Sequence, residues 1–307
     1  MGRHLIVGAG PVGAATARLL AERGEEVVVV TRSGSGAAPG IGTARLDATD
    51  AAALGELASG AAVLYNCANP AYHSWATDWP PLAAALLDAA ERSGAVLATV
   101  GNLYPYGAVT APMTEQTPMN PNSVKGRVRA QMWSDALARH RAGRIRATEV
   151  RGSDYIGHRS QSLMGDRVVP RLLAGRGVQV PRSADTAHSW TFTWDVARLL
   201  VTVGDDERAW GSPWHVPSNA PRSQREVIGD LASAAGVAPV RVSEIPGVAI
   251  KALGLVNPTV RALGEVAYQL EQPFVMDSSA AEKAFGLQPT PWAEGLARTV
   301  EAYRTNA

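Results

Sequence analysis

The sequence predicts an α/β protein, with a doubly wound parallel sheet and a smaller, mixed α/β portion toward the C-terminus. Three observations predict it. Short apolar runs alternate with helical segments through the first half. The first run ends in a glycine cluster that opens a helix. Near Asp154 the rhythm breaks, and glycine, proline and tryptophan become frequent. Strands separated by helices of this length imply right-handed crossovers and a parallel sheet with helices on both faces.

In chain order, "HLIVGAG" is a buried strand and "PVGAATARLLAERG" a helix stopped by Gly24. The β-branched run "EEVVVVTR" is a second strand, and "TARLDATD" a short third one with a polar end. "AAALGELASG" is a helix, "AAVLYNCAN" a fourth strand, and "WPPLAAALLDAAERSG" a long helix with its prolines in the first turn. "AVLATVGN" is a fifth strand. A loop rich in Pro, Asn and Thr runs to about Asn122, a helix spans about 124–142, and "IRATEVRG" is a sixth strand. Beyond it, "WTFTWDVARLLVTV" reads as a return strand leading into a helix capped by Asp195, and "SQREVIGDLASAAG" and "PTPWAEGLARTVEAYR" read as helices. The expected division is 1–153, with return elements near 190–217, and 154–307.

Composition narrows the function. A formal net charge of +1 over 307 residues gives no electrostatic case for a nucleic-acid or anionic-membrane partner. Cys67 is the only cysteine, which excludes an internal disulfide and a thiolate metal cluster. The histidines show no metal-ligand spacing. No apolar run is long enough to span a bilayer, and the strand that follows Met1 leaves no room for a signal peptide, so a cytoplasmic protein is expected.

The glycine cluster is Gly8-Ala9-Gly10-Pro11-Val12-Gly13. Gly8 suits a tight turn, Gly10 a close approach of backbone to a pyrophosphate, and Gly13 a close helix–strand packing, with the helix N-terminus facing the phosphates. At the end of the second strand a carboxylate would bind the ribose 2′-hydroxyl of NAD. Thr31 stands there instead, followed by Arg32 and Ser33. The missing carboxylate removes repulsion against a 2′-phosphate, and Arg32 offers it a bidentate donor, so NADP(H) is favoured over NAD(H). Asp47 suits either the adenine amino group or the N-cap of the following helix. Cys67, Ala68 and Asn69 after the fourth strand would pass beneath the nicotinamide ribose, with Cys67 a small buried residue rather than a nucleophile.

The order GAGPVG, VVTR, RLDATD, NCAN, "VGNLYPYG", a lysine-bearing helix and "RGSDYIG" resembles the extended short-chain dehydrogenase/reductase superfamily, the NAD-dependent epimerase/dehydratase group. "SWTFTWDVARLLV" and "PFVMDSSAAEKAFGLQPTPWAEGLARTV" are similar to its C-terminal portion. The resemblance implies a Rossmann domain, a small substrate-binding domain, a site between them, and often a homodimer. It also implies a catalytic Ser or Thr before the YG dipeptide and a tyrosine four residues ahead of a lysine. Here Asn102 occupies the first position. In one register of "TPMNPNSVKGRVRA" Lys125 takes the tyrosine slot and Arg129 the lysine slot. In the other Lys125 is the lysine and Pro121 stands where tyrosine belongs. Neither keeps a phenol.

These residues set the expected roles. The Asn102 amide can orient a substrate carbonyl. Lys125 can donate a proton or stabilise an alkoxide, its pKa depressed by burial and by Arg129, while Arg129 holds ribose hydroxyls. Tyr104, two residues past Asn102, can supply the phenol instead, and Tyr155 and His158 line the pocket. Trp75, Trp79, Trp190 and Trp194 suit either an aromatic-walled cleft or the core. The expected function is NADP(H)-dependent reduction of a small, largely apolar carbonyl or imine-type substrate. The alternatives are an epimerase or dehydratase with tightly held cofactor, against which the lost phenol counts, and a non-catalytic NADP-sensing regulator.

Overall fold

The computed structural model describes residues 2–157, 160 and 162–305, so His158 lies outside the described residues. The first half alternates as expected: β1 (Arg3–Val7), α1 (Pro11–Glu22), β2 (Glu26–Thr31), β3 (Gly42–Arg45), α2 (Ala51–Leu57), β4 (Ala61–Asn66), α3 (Trp75–Ser93), β5 (Val96–Asn102), α4 (Val124–Arg141) and β6 (Arg146–Gly152). There follow β7 (Asp154–Ile156), α5 (Val169–Leu173), β8 (Val178–Pro181), β9 (Trp190–Phe192), α6 (Thr193–Asp205) and β10 (Pro213–His215). The chain continues through α7 (Gln224–Ala235), β11 (Val242–Ile245), α8 (Gly247–Gly254), α9 (Pro258–Gly264), α10 (Ser279–Phe285) and α11 (Trp292–Thr305).

Seven strands form one parallel sheet in the order β10-β6-β5-β4-β1-β2-β3. The winding reverses between β1 and β4, the place at the carboxyl ends of the strands where sheets of this kind hold their ligands. Leu54, Trp79, Leu86 and Trp133 pack one face of the sheet, from α2, α3 and α4. Leu20, Val196, Leu199 and Leu200 pack the other, from α1 and α6. A separate core joins α5, α7, α11 and β8. Among the described residues, no helix is long and apolar enough to cross a membrane.

Three local expectations change. α3 begins at Trp75, so Pro80 and Pro81 lie inside it rather than in its first turn. The helix starts one turn early, out of the 3-10 turn Tyr72–Ser74, which is what places both prolines in its interior. Asp195 is not an N-cap: Phe192 holds that position, and Asp195 is buried in the first turn. Its carboxylate accepts from the Thr290 backbone and hydroxyl and from Arg198, which ties the C-terminal segment to α6. β9 pairs with β7 in a separate ribbon, and β10 is the strand that returns to the main sheet.

β10 is fixed by His215, which is fully buried. Its Nδ1–H donates to the Asp277 carbonyl at 2.8 Å, so Nε2 accepts from the Tyr106 hydroxyl at 2.8 Å. Burial pulls the ring's pKa from 6.5 to about 4 and keeps it neutral at pH 7. Between those values the unfolded chain binds the proton and the fold does not, so stability falls as pH drops below 6.5. His215 alone should cost about 2 kcal/mol between pH 7 and pH 5. Urea unfolding at both pH values checks this: His215→Gln should lose less stability on acidification than the wild type by that amount.

Candidate active site

The turn after β1 is packed closely at two of its glycines and open at the third. Gly8 has φ +104°, and a Cβ there would lie 2.7 Å from the Cys67 carbonyl oxygen. A Cβ on Gly13 would collide with the Gly8 carbonyl. Gly10, the N-cap of α1, is exposed, and a Cβ there would meet nothing within 4 Å. Pro11 is the first helical residue and Val12 packs in the core. The open space over Gly10 at a helix N-terminus is a cradle that fits a pyrophosphate. Arg32 and Ser33 are exposed at the end of β2, and Thr31 is bound to Ser35 through its hydroxyl. Among the described residues Arg32 has no ion pair.

Asp47 accepts from the Thr49 backbone and hydroxyl, which lowers its pKa. It is therefore not the helix cap: Asp50 receives the N–H groups of Ala52 and Ala53. Cys67 is buried under the glycine turn, and burial pushes its thiol up to about 12, as suits a packing residue. Ala68 is half-buried, its N–H donating to Asn66, and Asn69 is exposed.

The α4 pair divides. Arg129 turns inward, 5% exposed, with its guanidinium 4.7 Å from the Trp75 ring and 4.3 Å from the Trp79 ring. One Nη donates to the Val100 carbonyl at 3.0 Å, and Nε has no partner. Two indole faces and a carbonyl replace the water the cation has lost. Its nearest counter-charge is Glu149, which also pairs with Arg151 at 2.6 Å and lies under Gly101, where a Cβ would strike the carboxylate. Lys125 turns toward the C-terminal portion. Its ammonium lies 3.4 Å from Glu265 and 4.6 Å from the centre of the Tyr72 ring. Burial lowers its pKa and Glu265 opposes that, so the depression comes from burial and not from Arg129.

The phenol absent from α4 reappears on two neighbouring loops. Asn102 accepts from the Tyr104 N–H at 3.1 Å, a tight turn that aims the residue after β5. The Tyr104 hydroxyl lies 3.0 Å from that of Tyr72, on the segment after β4. Burial, and then the Asp154 charge, push Tyr104 up to about 12. Trp75 packs against both of these rings with Trp79 behind it, Trp190 lies in the separate core, and Trp194 is half-buried. Tyr155 donates to the Gly101 carbonyl at 2.8 Å. Asp154 lies 3.1 Å from the buried His188, whose Nδ1 donates to the Gln269 carbonyl. Tyr72, Glu265, Gln269, Asp154 and His188 escape a reading by motif. Tyr72 lies in the 3-10 turn after β4, five residues past Cys67.

A dinucleotide cradle at the sheet reversal, with a phenol and a buried lysine at the ends of β4, β5 and α4, matches a known family model over residues 4–215. The chain belongs to the NAD dependent epimerase/dehydratase family. A comparison with curated proteins gives no match. Among solved structures, this family member is similar to dTDP-glucose 4,6-dehydratase from Streptomyces venezuelae with NAD bound, at 22% identity over 99% of this chain and 97% of that one, TM-score 0.77. It is similar to UDP-glucose 4-epimerase from Thermotoga maritima with UDP-glucose, at 17% identity over 99% of both chains, TM-score 0.81. It is also similar to UDP-glucose 4-epimerase from Thermus thermophilus with NAD, at 20% identity over 99% and 100%, TM-score 0.80. At these identities the likeness is one of fold.

Gly10→Val tests the cradle. With nothing within 4 Å of the added carbon, the melting temperature should stay near that of the wild type. Dinucleotide affinity, read by fluorescence titration, should fall at least about tenfold, or 1.4 kcal/mol.

Proposed function

We propose that this chain is a nicotinamide-dependent enzyme of the epimerase/dehydratase type, acting on a secondary alcohol that is oxidised and then reduced again within one site. The observation that carries the reading is the Tyr104 hydroxyl, 3.0 Å from that of Tyr72, whose ring lies under the Lys125 ammonium, with the Arg129 charge acting on Tyr104. Such a cycle needs a group that takes the alcohol proton and returns it. Without a phenol the α4 sequence argues against the cycle, and Tyr104 supplies one from the loop after β5. Family membership supports the same reading over simple carbonyl reduction.

A bound nicotinamide supplies the hydride acceptor and donor. Gly8, Gly10 and the N-terminus of α1 would hold its pyrophosphate, with Thr31, Arg32 and Ser33 at the adenosine ribose. In the oxidation half the Tyr104 oxygen takes the substrate proton as a phenolate, a form that burial and Asp154 disfavour and the Arg129 charge favours; in the reduction half its hydroxyl gives the proton back. Lys125 and Arg129 contribute positive charge beside the oxygen on which negative charge develops. The Asn102 oxygen is committed to the turn, which leaves its amide N–H groups for substrate.

One observation favours net reduction as a second reading. Thr31-Arg32 in place of a carboxylate selects NADP(H), the couple that drives reductions.

The test is a panel of nucleotide-hexoses, small secondary alcohols and small ketones, followed by product NMR and by nicotinamide absorbance. Tyr104→Phe should lower turnover by about 10²- to 10⁴-fold with cofactor binding kept. Unchanged turnover in that variant would end the proposal. Arg32→Glu should weaken NADPH at least about tenfold, and NADH less, in equilibrium titrations.

A further inference from the structure

Six large hydrophobic side chains stand exposed among the described residues, and four of them fall between residues 248 and 256. Val248 is 80% exposed, Leu253 54%, Leu255 82% and Val256 80%. They belong to α8 and to the turn that joins it to α9. This hairpin is anchored. α8 packs on α9, and a Cβ on the buried Gly254 would crowd the Arg261 backbone at 3.2 Å. The Asn257 side chain accepts from the Thr259 and Val260 N–H groups and caps α9. At the other end, a Cβ on Gly247 would strike the Arg182 guanidinium, which pairs with Glu271 at 2.9 Å. α9 also packs inward against the turn bearing Tyr72. The bare aliphatic groups are therefore the outer face of a built element, not the frayed end of a helix.

Charge says what covers this face. Residues 246–264 hold Lys251 and Arg261 and no acidic residue. Both cations are exposed, and neither makes an ion pair among the described residues. The acids that flank the hairpin in the chain are engaged elsewhere. Glu244 accepts from the Ala184 N–H, Glu265 pairs with Lys125, and Glu271 pairs with Arg182. A net charge of +1 over the whole chain averages such a patch away. We propose that the α8–α9 hairpin docks on the surface of an anionic lipid bilayer, with Val248, Leu253, Leu255 and Val256 in the interfacial layer and Lys251 and Arg261 against the lipid phosphates. Apolar groups beside unpaired cations gain there from burial and from the negative surface potential together. A second copy of the chain fits the face less well. A two-fold contact would bring cations toward cations, and four aliphatic side chains fall short of the roughly 800 Å² per partner that a stable interface buries. The chain lies on such a surface without crossing it: among the described residues no helix is long and apolar enough to span.

The experiment mixes the full chain with sucrose-loaded vesicles, of phosphatidylcholine alone or of equal parts phosphatidylcholine and phosphatidylglycerol, and measures the bound fraction by sedimentation. The chain should bind the anionic vesicles at least about tenfold more tightly than the neutral ones, and added salt should release it. Leu255→Asp with Val256→Asp should lower binding to anionic vesicles at least about tenfold, because it removes inserted groups and adds charge of the lipid's own sign. Lys251→Glu with Arg261→Glu should abolish the preference for anionic vesicles. All four positions are exposed, so melting temperatures should stay near that of the wild type, which separates lost docking from lost fold. Failure of the wild-type chain to bind anionic vesicles overturns the proposal, a result that needs no variant. So does equal binding by the chain changed at Leu255 and Val256. A dimer in sedimentation velocity that the same change dissociates also overturns it, and gives the face to a second copy. None of these readouts needs turnover, so the outcome is independent of the proposed reaction.

Discussion

The close approach of the turn after β1 to the end of β4 is the constraint from which the rest follows. Gly8 sits against the Cys67 carbonyl, and Gly13 sits against Gly8. No side chain fits either contact, so α1 is seated directly on the sheet at the point where its winding reverses. That seat sets the N-terminus of α1 beside the carboxyl end of β4. It also fixes the lateral distance to β5, one strand further on. The loops after these strands carry Tyr72 and Tyr104, so the phenol pair is held by the same contact that shapes the cradle.

A second constraint is electrostatic. Arg129, Glu149 and Arg151 place two cations and one carboxylate beneath β5 and β6. Arg129 is made tolerable by the tryptophan faces and the Val100 carbonyl, not by a carboxylate in contact. The excess positive charge lies under the site where a substrate oxygen would become anionic.

The sequence discloses the sheet, its direction and the glycine roles because each rests on local chemistry: β-branched runs, helix stops and backbone space. It misplaces Asp195 because a carboxylate near a helix start looks like a cap whether it receives backbone N–H groups or, as here, those of Thr290, far away in the chain. Asp47 and Asp50 show the same ambiguity three residues apart. In the site, a helical spacing of four gives Lys125 and Arg129 a common face but cannot say that one turns to Glu265 and the other to Trp75 and Trp79. Tyr72 becomes visible only once β4 and β5 are known to be neighbours. Gln269 and Glu265 approach from the far end of the chain and carry no motif.

Glu265 joins two jobs in one side chain. It neutralises Lys125, and it lies just past α9, which packs against the turn bearing Tyr72. Its carboxylate is about one-third exposed while the ammonium is buried, so water and ions reach the pair from one side only. The seating of the segment around α9 therefore bears on both the Lys125 ammonium and the turn that carries Tyr72.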